Sequence, residues 1–377
     1  MRRLGLFVGV AAVAVVAVAA AAGRIDPAAT YREWTHRLRA VAAAVPEAVV
    51  RDEGEPGEEA AVLFVVVDDD IPVSMALVVS REVATSAAVP PSLYEIAPGL
   101  GEVTLAEAAR FGGSETLRVT VENAFALRTA AVVSLDLEEL AGFVPAGVDA
   151  DLPTALVVGE AGVERQVAAA GPGRRSAETV VEILGHTADP VGDLGRHAGV
   201  WPGLLRELAR DPATIRRVAA AAVGDPDAVE TVLAAAVDRV ESTIAPVVPV
   251  GARSGSGFVV DRETLPVFLE RWSGGLVLGT LPRPTVEVLN GNGRIGTTTV
   301  VARALVEAGY RLVRVDNADR FDHDTTIVVA QGRENADVAR MAVEVLGVGE
   351  LRLEVRAPSG AVDVSIIVGQ DVPAGEG

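Results

Sequence analysis

Apolar and polar positions alternate in distinct blocks along this chain, and each block predicts an element. After Met1-Arg2-Arg3, the run Leu4 to Ala22 carries no charge. At ~1.5 Å of rise per residue it approaches the roughly 30 Å of a hydrocarbon core, which predicts an N-terminal transmembrane helix. Arg2 and Arg3 on the short flank predict a cytoplasmic tip, with everything from Arg24 outside. A signal peptide cleaved near Ala19 to Gly23 is the competing reading. Thr30 and Glu33 have capping-box spacing, and Tyr31, Trp34, Leu38, Val41 and Val45 follow at three and four residues. They predict a short juxtamembrane helix. Asp52 to Glu59 reads as a linker.

From Ala60 to Val67 the chain is continuously apolar and β-branched, the pattern of a strand buried on both faces, and it stops at Asp68-Asp69-Asp70. Strands are expected at Met75 to Val79, Ala130 to Leu135 and Ala155 to Val158. Ala88 to Ile96 runs through Pro90-Pro91. Helices are expected at Leu105 to Phe111, Glu115 to Phe125, Glu138 to Phe143, Ala177 to Leu184 and Trp201 to Ala209. Asp211-Pro212 and Asp225-Pro226 each place a capping carboxylate before a first-turn proline and open two more. Gly251 to Gly257 reads as a flexible loop, and a strand and a helix follow up to Leu281. Strands alternating with helices indicate a layered α/β fold.

Beyond a boundary at Pro282-Arg283-Pro284 the pattern changes scale. Val286 to Leu289 is a strand and Thr297 to Ala308 a helix. Strands Tyr310 to Val315 and Thr325 to Val329, helix Glu334 to Leu346, and strands Leu351 to Val355 and Val362 to Val368 follow. Gly291, Gly293 and Gly296 satisfy G-x-G-x-x-G, with Asp316 at the end of the next strand, which spells a dinucleotide fingerprint. Connectivity argues against it. Asp316 to Asp324 is too short for the crossover that a parallel return needs, so the third strand must turn antiparallel or leave the sheet. The glycines are read instead as positive-φ turn residues. Asn290, Gly291, Asn292, Gly293 and Arg294 form that turn, and the helix N-terminus behind it makes them a candidate anion site.

Composition narrows the chemistry. The formal net charge of −19 repels polyanions and argues against nucleic acid as a partner. Without cysteine there are no disulfides, thiolate nucleophiles or cysteine zinc sites. Lysine is also absent, which removes Schiff-base and phosphate-loop lysine chemistry. The four histidines are scattered and make no helical metal pair. Asp322-His323-Asp324 reads as a solvated turn, and Trp201 and Trp272 as core residues.

Motif order and spacing resemble the LytR-CpsA-Psr family. The resemblance lies in Phe111 to Phe125, Val132 to Phe143 and Asp149-Ala-Asp-Leu-Pro153. The C-terminal segment resembles the domain that closes LytR-type envelope proteins. It shows Val286-Glu-Val-Leu-Asn-Gly-Asn-Gly293, Asn317-Ala-Asp319, Thr325-Thr326 with Gly332-Arg-Glu334, and Val364-Ser-Ile-Ile-Val-Gly-Gln-Asp371. The resemblance implies five parts. A cytoplasmic tip and transmembrane anchor occupy 1–23, and a juxtamembrane helix with linker 24–59. A diverged three-layer α/β domain of the LytR-CpsA-Psr type covers 60–281. A small α/β domain with a mixed β-α-β-β-α-β sheet covers 285–371, and a disordered tail 372–377. It also implies a cell-membrane, extracytoplasmic location and a role in assembling cell-wall glycopolymers.

Family members transfer polyprenyl-pyrophosphate-linked glycopolymers to peptidoglycan, using arginines, aspartates and a divalent metal. Here the matching positions depart. The Arg-Ser-Asp-Thr element falls on Pro72-Val73-Ser74-Met75, and the Ile-Pro-Arg-Asp element on Val89-Pro90-Pro91-Ser92. The later Asp-Phe-Gly-Arg stretch is answered by Asp193-Leu194-Gly195-Arg196 alone. The expectation is a non-catalytic binding or scaffolding protein without cofactor, its partners the membrane, a cell-wall glycan or envelope proteins. The alternative is a phosphotransferase that uses Asp193 and Arg196, with Mg²⁺ held by Asp68, Asp69 and Asp70.

Overall fold

The computed structural model describes residues 59–159, 163–252, 255–272, 276–355 and 362–372. The expected membrane span and juxtamembrane helix lie outside the described residues. Among those described, no helix is long and apolar enough to cross a membrane.

The first part of the chain forms β1 (Ala61–Asp68), β2 (Ile71–Val79), β3 (Ala84–Val89), β4 (Tyr94–Ala97), β5 (Gly101–Thr104), α1 (Leu105–Phe125), β6 (Ala131–Asp136) and α2 (Leu137–Phe143). It continues through β7 (Val148–Leu152), β8 (Leu156–Val158), β9 (Arg165–Ala168), β10 (Gly171–Arg175), α3 (Ala177–Gly185), α4 (Pro190–Leu208) and α5 (Pro212–Ala220). It ends with β11 (Ala222–Gly224), α6 (Pro226–Ala235), β12 (Val240–Ile244), β13 (Val247–Ala252), β14 (Gly255–Val260) and α7 (Leu265–Trp272).

The main sheet has the order β11-β6-β1-β2-β3-β12. The apolar run in β1 behaves as its composition requires. Val62, Phe64 and Val66 join one core with α3 to α6, while Ala61, Leu63 and Val65 join another with α1 and α7. A strand buried on both faces has no polar side to alternate with, hence the unbroken apolar sequence. The sheet with helices on each face is a three-layer α/β arrangement.

Several boundaries move. The two helices expected at 105–111 and 115–125 are both present within α1, separated by a kink at non-helical Gly113 (φ 73). Helix α4 begins at Asp189-Pro190, not Trp201, because Asp189 accepts the Gly192 N–H and the proline fits the first turn. The expected 251–257 loop lies in a hairpin, β13 against β14. The caps at Asp211 and Asp225 form as expected.

The second part contains β15 (Thr285–Asn290), α8 (Thr297–Glu307), β16 (Arg311–Asn317), β17 (Ile327–Gln331), α9 (Ala336–Leu346), β18 (Glu350–Glu354) and β19 (Val364–Val368). Its sheet order is β16-β15-β19-β17-β18. The β-α-β-β-α-β plan is one strand short, because β19 returns to the centre, parallel to β15 and antiparallel to β17. An antiparallel β17 is incompatible with a dinucleotide fold, as the short 316–324 connection requires. Val372, the first residue of the expected tail, is buried in this core, and 373–377 lie outside the described residues.

The two parts meet on α1. Val119 of α1 belongs to the core of the second part. Beside it, Arg283 of the expected linker is buried and donates to the Glu122 and Asn123 carbonyls, the former at 3.2 Å. Burial pulls the Arg283 guanidinium down to about 9. Arg118 ties Glu115 and Glu122 on its own helix to Glu307 of α8 at 2.6 Å.

Candidate functional site

The residues held for the phosphotransferase alternative do meet, but as a closed cluster. Asp193 and Arg196 lie one turn apart on α4, each about 95% buried. The Arg196 guanidinium donates to Asp193 at 2.6 Å, to Asp189 at 3.2 Å and to Thr154 Oγ1 at 3.0 Å. Asp193 also faces His186 Nδ1 at 2.6 Å and accepts the Asp189 N–H at 3.0 Å. His197, next in sequence, contacts the Ile183 carbonyl at 3.0 Å, and burial lowers its pKa to about 4, so it is neutral at pH 7. The charge of Arg196 and its two terminal nitrogens are engaged within this chain, while its buried Nε has no partner among the described residues. The cluster pins the start of α4 to α3 and to the turn after β7. Asp193 and Arg196, named for the phosphotransferase alternative, are thus brought into direct contact with each other.

The triple-aspartate run is a hairpin tip. Asp68 pairs with Ile71 across the β1–β2 turn, with Asp69 and Asp70 at φ 49 and 62. Two successive positive φ values are the signature of a type I′ turn, in which aspartate is favoured. All three side chains are exposed. Among the described residues no group of three histidine or acidic side chains is placed to hold a metal. The Asp322-His323-Asp324 stretch makes no such set either. At the family's first acidic place, Ser74 is fully buried and its Oγ accepts from Trp201 Nε1 at 3.1 Å. The Ser92 carbonyl accepts the Phe258 N–H. Both positions serve packing. Trp201 and Trp272 are core residues, as expected.

A shallow groove of about 890 Å³ lies beside α4, and sequence reasoning missed it. Asp149 and Asp151 of β7, Arg206 of α4, and Ser242 and Thr243 of β12 supply its polar lining. Its shape follows from Gly195, Gly199 and Gly203, spaced by four along one helix face. A Cβ at Gly199 would come within 2.1 Å of the Asp151 carbonyl oxygen, and at Gly203 within 2.2 Å of that of Asp149. Helix backbone and strand backbone therefore touch directly. Three glycines four apart were the available signal, since such positions share a helix face.

The Asn290 to Arg294 turn is self-satisfied. Asn290 Oδ1 accepts the N–H of Asn292 and Gly293, and its Nδ2 donates to the Arg294 carbonyl. Asn292 Oδ1 accepts the Arg294 N–H, and its Nδ2 reaches the Gly369 carbonyl at 2.6 Å. The turn amides of Asn292, Gly293 and Arg294 are engaged by asparagine side chains, whereas the helix start behind them, at Gly296, has no side-chain cap. Gly293 takes φ 69 as expected. Gly291 does not have positive φ. It is required because a Cβ would lie 2.6 Å from Ile367 Cγ2 and 2.9 Å from the Val368 carbonyl oxygen.

No curated protein matches the chain in sequence. Solved structures resemble it weakly. A transcriptional regulator from Enterococcus faecalis matches at 18% identity and TM-score 0.43, over 55% of this chain and 84% of that one. TagU from B. subtilis matches at 14% and 0.43, over 60% and 100%. TagT bound to LIIa-WTA matches at 16% and 0.47, over 60% and 94%. Likeness at this level carries no inference about activity. Residues 283–371 match the LytR_C family, described as LytR cell envelope-related transcriptional attenuator. The matched span encloses the Asn-Gly-Asn-Gly turn, the antiparallel β17 and the central β19, so it is the second part of the chain that is similar to the LytR_C family.

Proposed function

We propose that the chain is a membrane-anchored, extracytoplasmic protein of cell-envelope glycopolymer assembly that binds glycan without transferring it. The envelope part of this reading is supported by the LytR_C segment and by the charge-free run Leu4 to Ala22. One observation carries the non-catalytic part: Arg196, the arginine that answers the family's Asp-Phe-Gly-Arg stretch, is buried and held by Asp193, Asp189 and Thr154. Pyrophosphate recognition needs several free, converging cations or a metal. The α4 groove offers Asp151, Arg206 and Asp149, the last paired with Arg174 at 3.2 Å, a set that suits sugar hydroxyls, which donate to carboxylate oxygens. The reading requires no cofactor; Mg²⁺ enters only with the phosphotransferase alternative.

The test uses the purified full-length chain in mild detergent. Wall glycopolymer and peptidoglycan fragments should be retained, and Asp149→Asn with Asp151→Asn should weaken retention about tenfold. Incubated with a polyprenyl-pyrophosphate glycan, peptidoglycan and Mg²⁺ or Mn²⁺, the chain should transfer nothing. Turnover would overturn the reading in favour of the alternative. Protease added outside protoplasts should digest the chain from Arg24 onward, and its protection there would refute the anchored topology.

A further inference from the structure

The second part of the chain ends its sheet on an uncovered strand. β18 lies at the edge, parallel to β17, and all its residues are exposed. Glu350 donates its N–H to Thr326, and the Glu354 carbonyl accepts from Gly332. Residues 350, 352 and 354 therefore turn their backbone groups inward toward β17. By the alternation of a strand, Leu351, Leu353 and Val355 turn theirs outward, where no strand among the described residues pairs with them. The register pairs Val328 with Leu351 and Ala330 with Leu353, so both leucines stand on the helix-covered face. Both leucines are left half-exposed there, at 42% and 47%, with Val355 at 59%. On α9, which packs over this edge, Met341 and Val345 are exposed too.

We propose that this edge pairs antiparallel with the same edge of a second copy, centred on Leu353, joining two sheets into one. The backbone pattern restricts the registers, because outward-facing residues must oppose outward-facing residues. Centring on Arg352 would set Arg352 against itself and Glu350 against Glu354. Centring on Glu354 would set two glutamates together. Centring on Leu353 opposes Leu353 to Leu353, Leu351 to Val355 and Arg352 to Glu354, each apolar on apolar or charge on opposite charge. Opposite charges directly across a strand pair are favourable and like charges are not. Among the described residues Arg352 makes an exposed contact to Glu350 at 3.4 Å, which the partner's Glu354 can replace. An edge defended against self-pairing would carry one sign of charge or a proline. This one carries both signs in a self-complementary order, which is what an isologous two-fold contact requires.

The test uses the full-length chain, whose lack of cysteine makes single-cysteine cross-linking unambiguous. Opposed residues in a hydrogen-bonded antiparallel pair have Cα atoms ~5.5 Å apart, within disulfide range. Leu353→Cys should therefore form a disulfide-linked dimer under mild oxidation. Leu351→Cys, set about 13 Å from its own copy by the same register, should not. Light scattering should report a dimer that Arg352→Glu or Glu354→Arg weakens at least tenfold and that the double exchange restores. These side chains are exposed, so folding serves as an unchanged control by circular dichroism. A monomer at every concentration would overturn the proposal. So would a dimer indifferent to the charge exchanges, or one that cross-links through residue 351 and not 353.

Discussion

The side-chain amide of Asn123 pairs with the backbone of Leu312 as a neighbouring strand would. Its Nδ2 donates to the Leu312 carbonyl at 2.9 Å, and its Oδ1 accepts the Leu312 N–H at 2.8 Å. Asn123 is fully buried on α1, and Leu312 lies on β16, the sheet edge that the second part turns toward the first. One residue thus completes an edge strand and joins the two parts of the chain.

Asn123→Ala should accordingly leave a donor and an acceptor of Leu312 buried without partners. Each such group costs about 1–3 kcal/mol, so unfolding in urea should show a loss of roughly 2 kcal/mol or more. Asn123→Asp should not rescue it, because a carboxylate cannot donate to the Leu312 carbonyl. A midpoint unchanged in both variants would refute this pairing role.

Glu122, next to Asn123, is buried, and burial pushes its carboxyl up to about 7 from an ordinary 4.5, against the opposing pull of the Thr129 N–H and Arg118. An acid whose folded pKa is raised holds its proton more tightly when folded, so its contribution is lost as pH rises from about 4.5 to about 7. His197 acts in the other sense. Its pKa is lowered from 6.5 to about 4, so its contribution is present above pH 6.5 and lost as pH falls toward 4. The two largely offset in the native chain. Glu122→Gln should therefore expose a melting temperature that rises with pH between 5 and 6.5. Parallel curves for variant and native chain would contradict the assignment.

The two loop glycines should separate in their tolerance of asparagine. Gly293 needs a positive φ, which asparagine accepts, whereas Gly291 needs the absence of a side chain. Gly293→Asn should cost well under the roughly 1 kcal/mol typical of a β-carbon forced into that region, while Gly291→Asn should cost more than that. Thermal melts of both variants decide it, and equal losses would show that one constraint governs both.

Restoring an acid at Ser74 should not restore chemistry. Ser74 is fully buried under Trp201, whose ring lies 6.4 Å from that of Phe64. Ser74→Asp would place a carboxylate among apolar side chains with one indole donor, costing several kcal/mol. Ser74→Ala should cost about 1–2 kcal/mol, the loss of the indole's partner. A folded Ser74→Asp protein as stable as the native chain would show that this pocket admits solvent.

Much of the architecture was legible because it depends on neighbours in sequence. The unbroken apolar run of β1, the Asp-Pro helix starts and the asparagine–glycine turn before α8 each have local causes. The short 316–324 connection argues against a dinucleotide fold by itself, since chain length alone limits where a strand can return. What tertiary structure decided involves residues far apart. Arg196 reads like a catalytic arginine, yet Thr154, 42 residues earlier, joins Asp189 and Asp193 in holding it. Gly291 reads like a turn glycine, yet it is required by Ile367 and Val368. Asn123 and Arg283 carry no motif, because the backbone groups they satisfy belong to strands and helices that come together only on folding. Local sequence can specify an element and its ends, but whether a charged side chain is free to act depends on which distant groups have already claimed its hydrogen bonds.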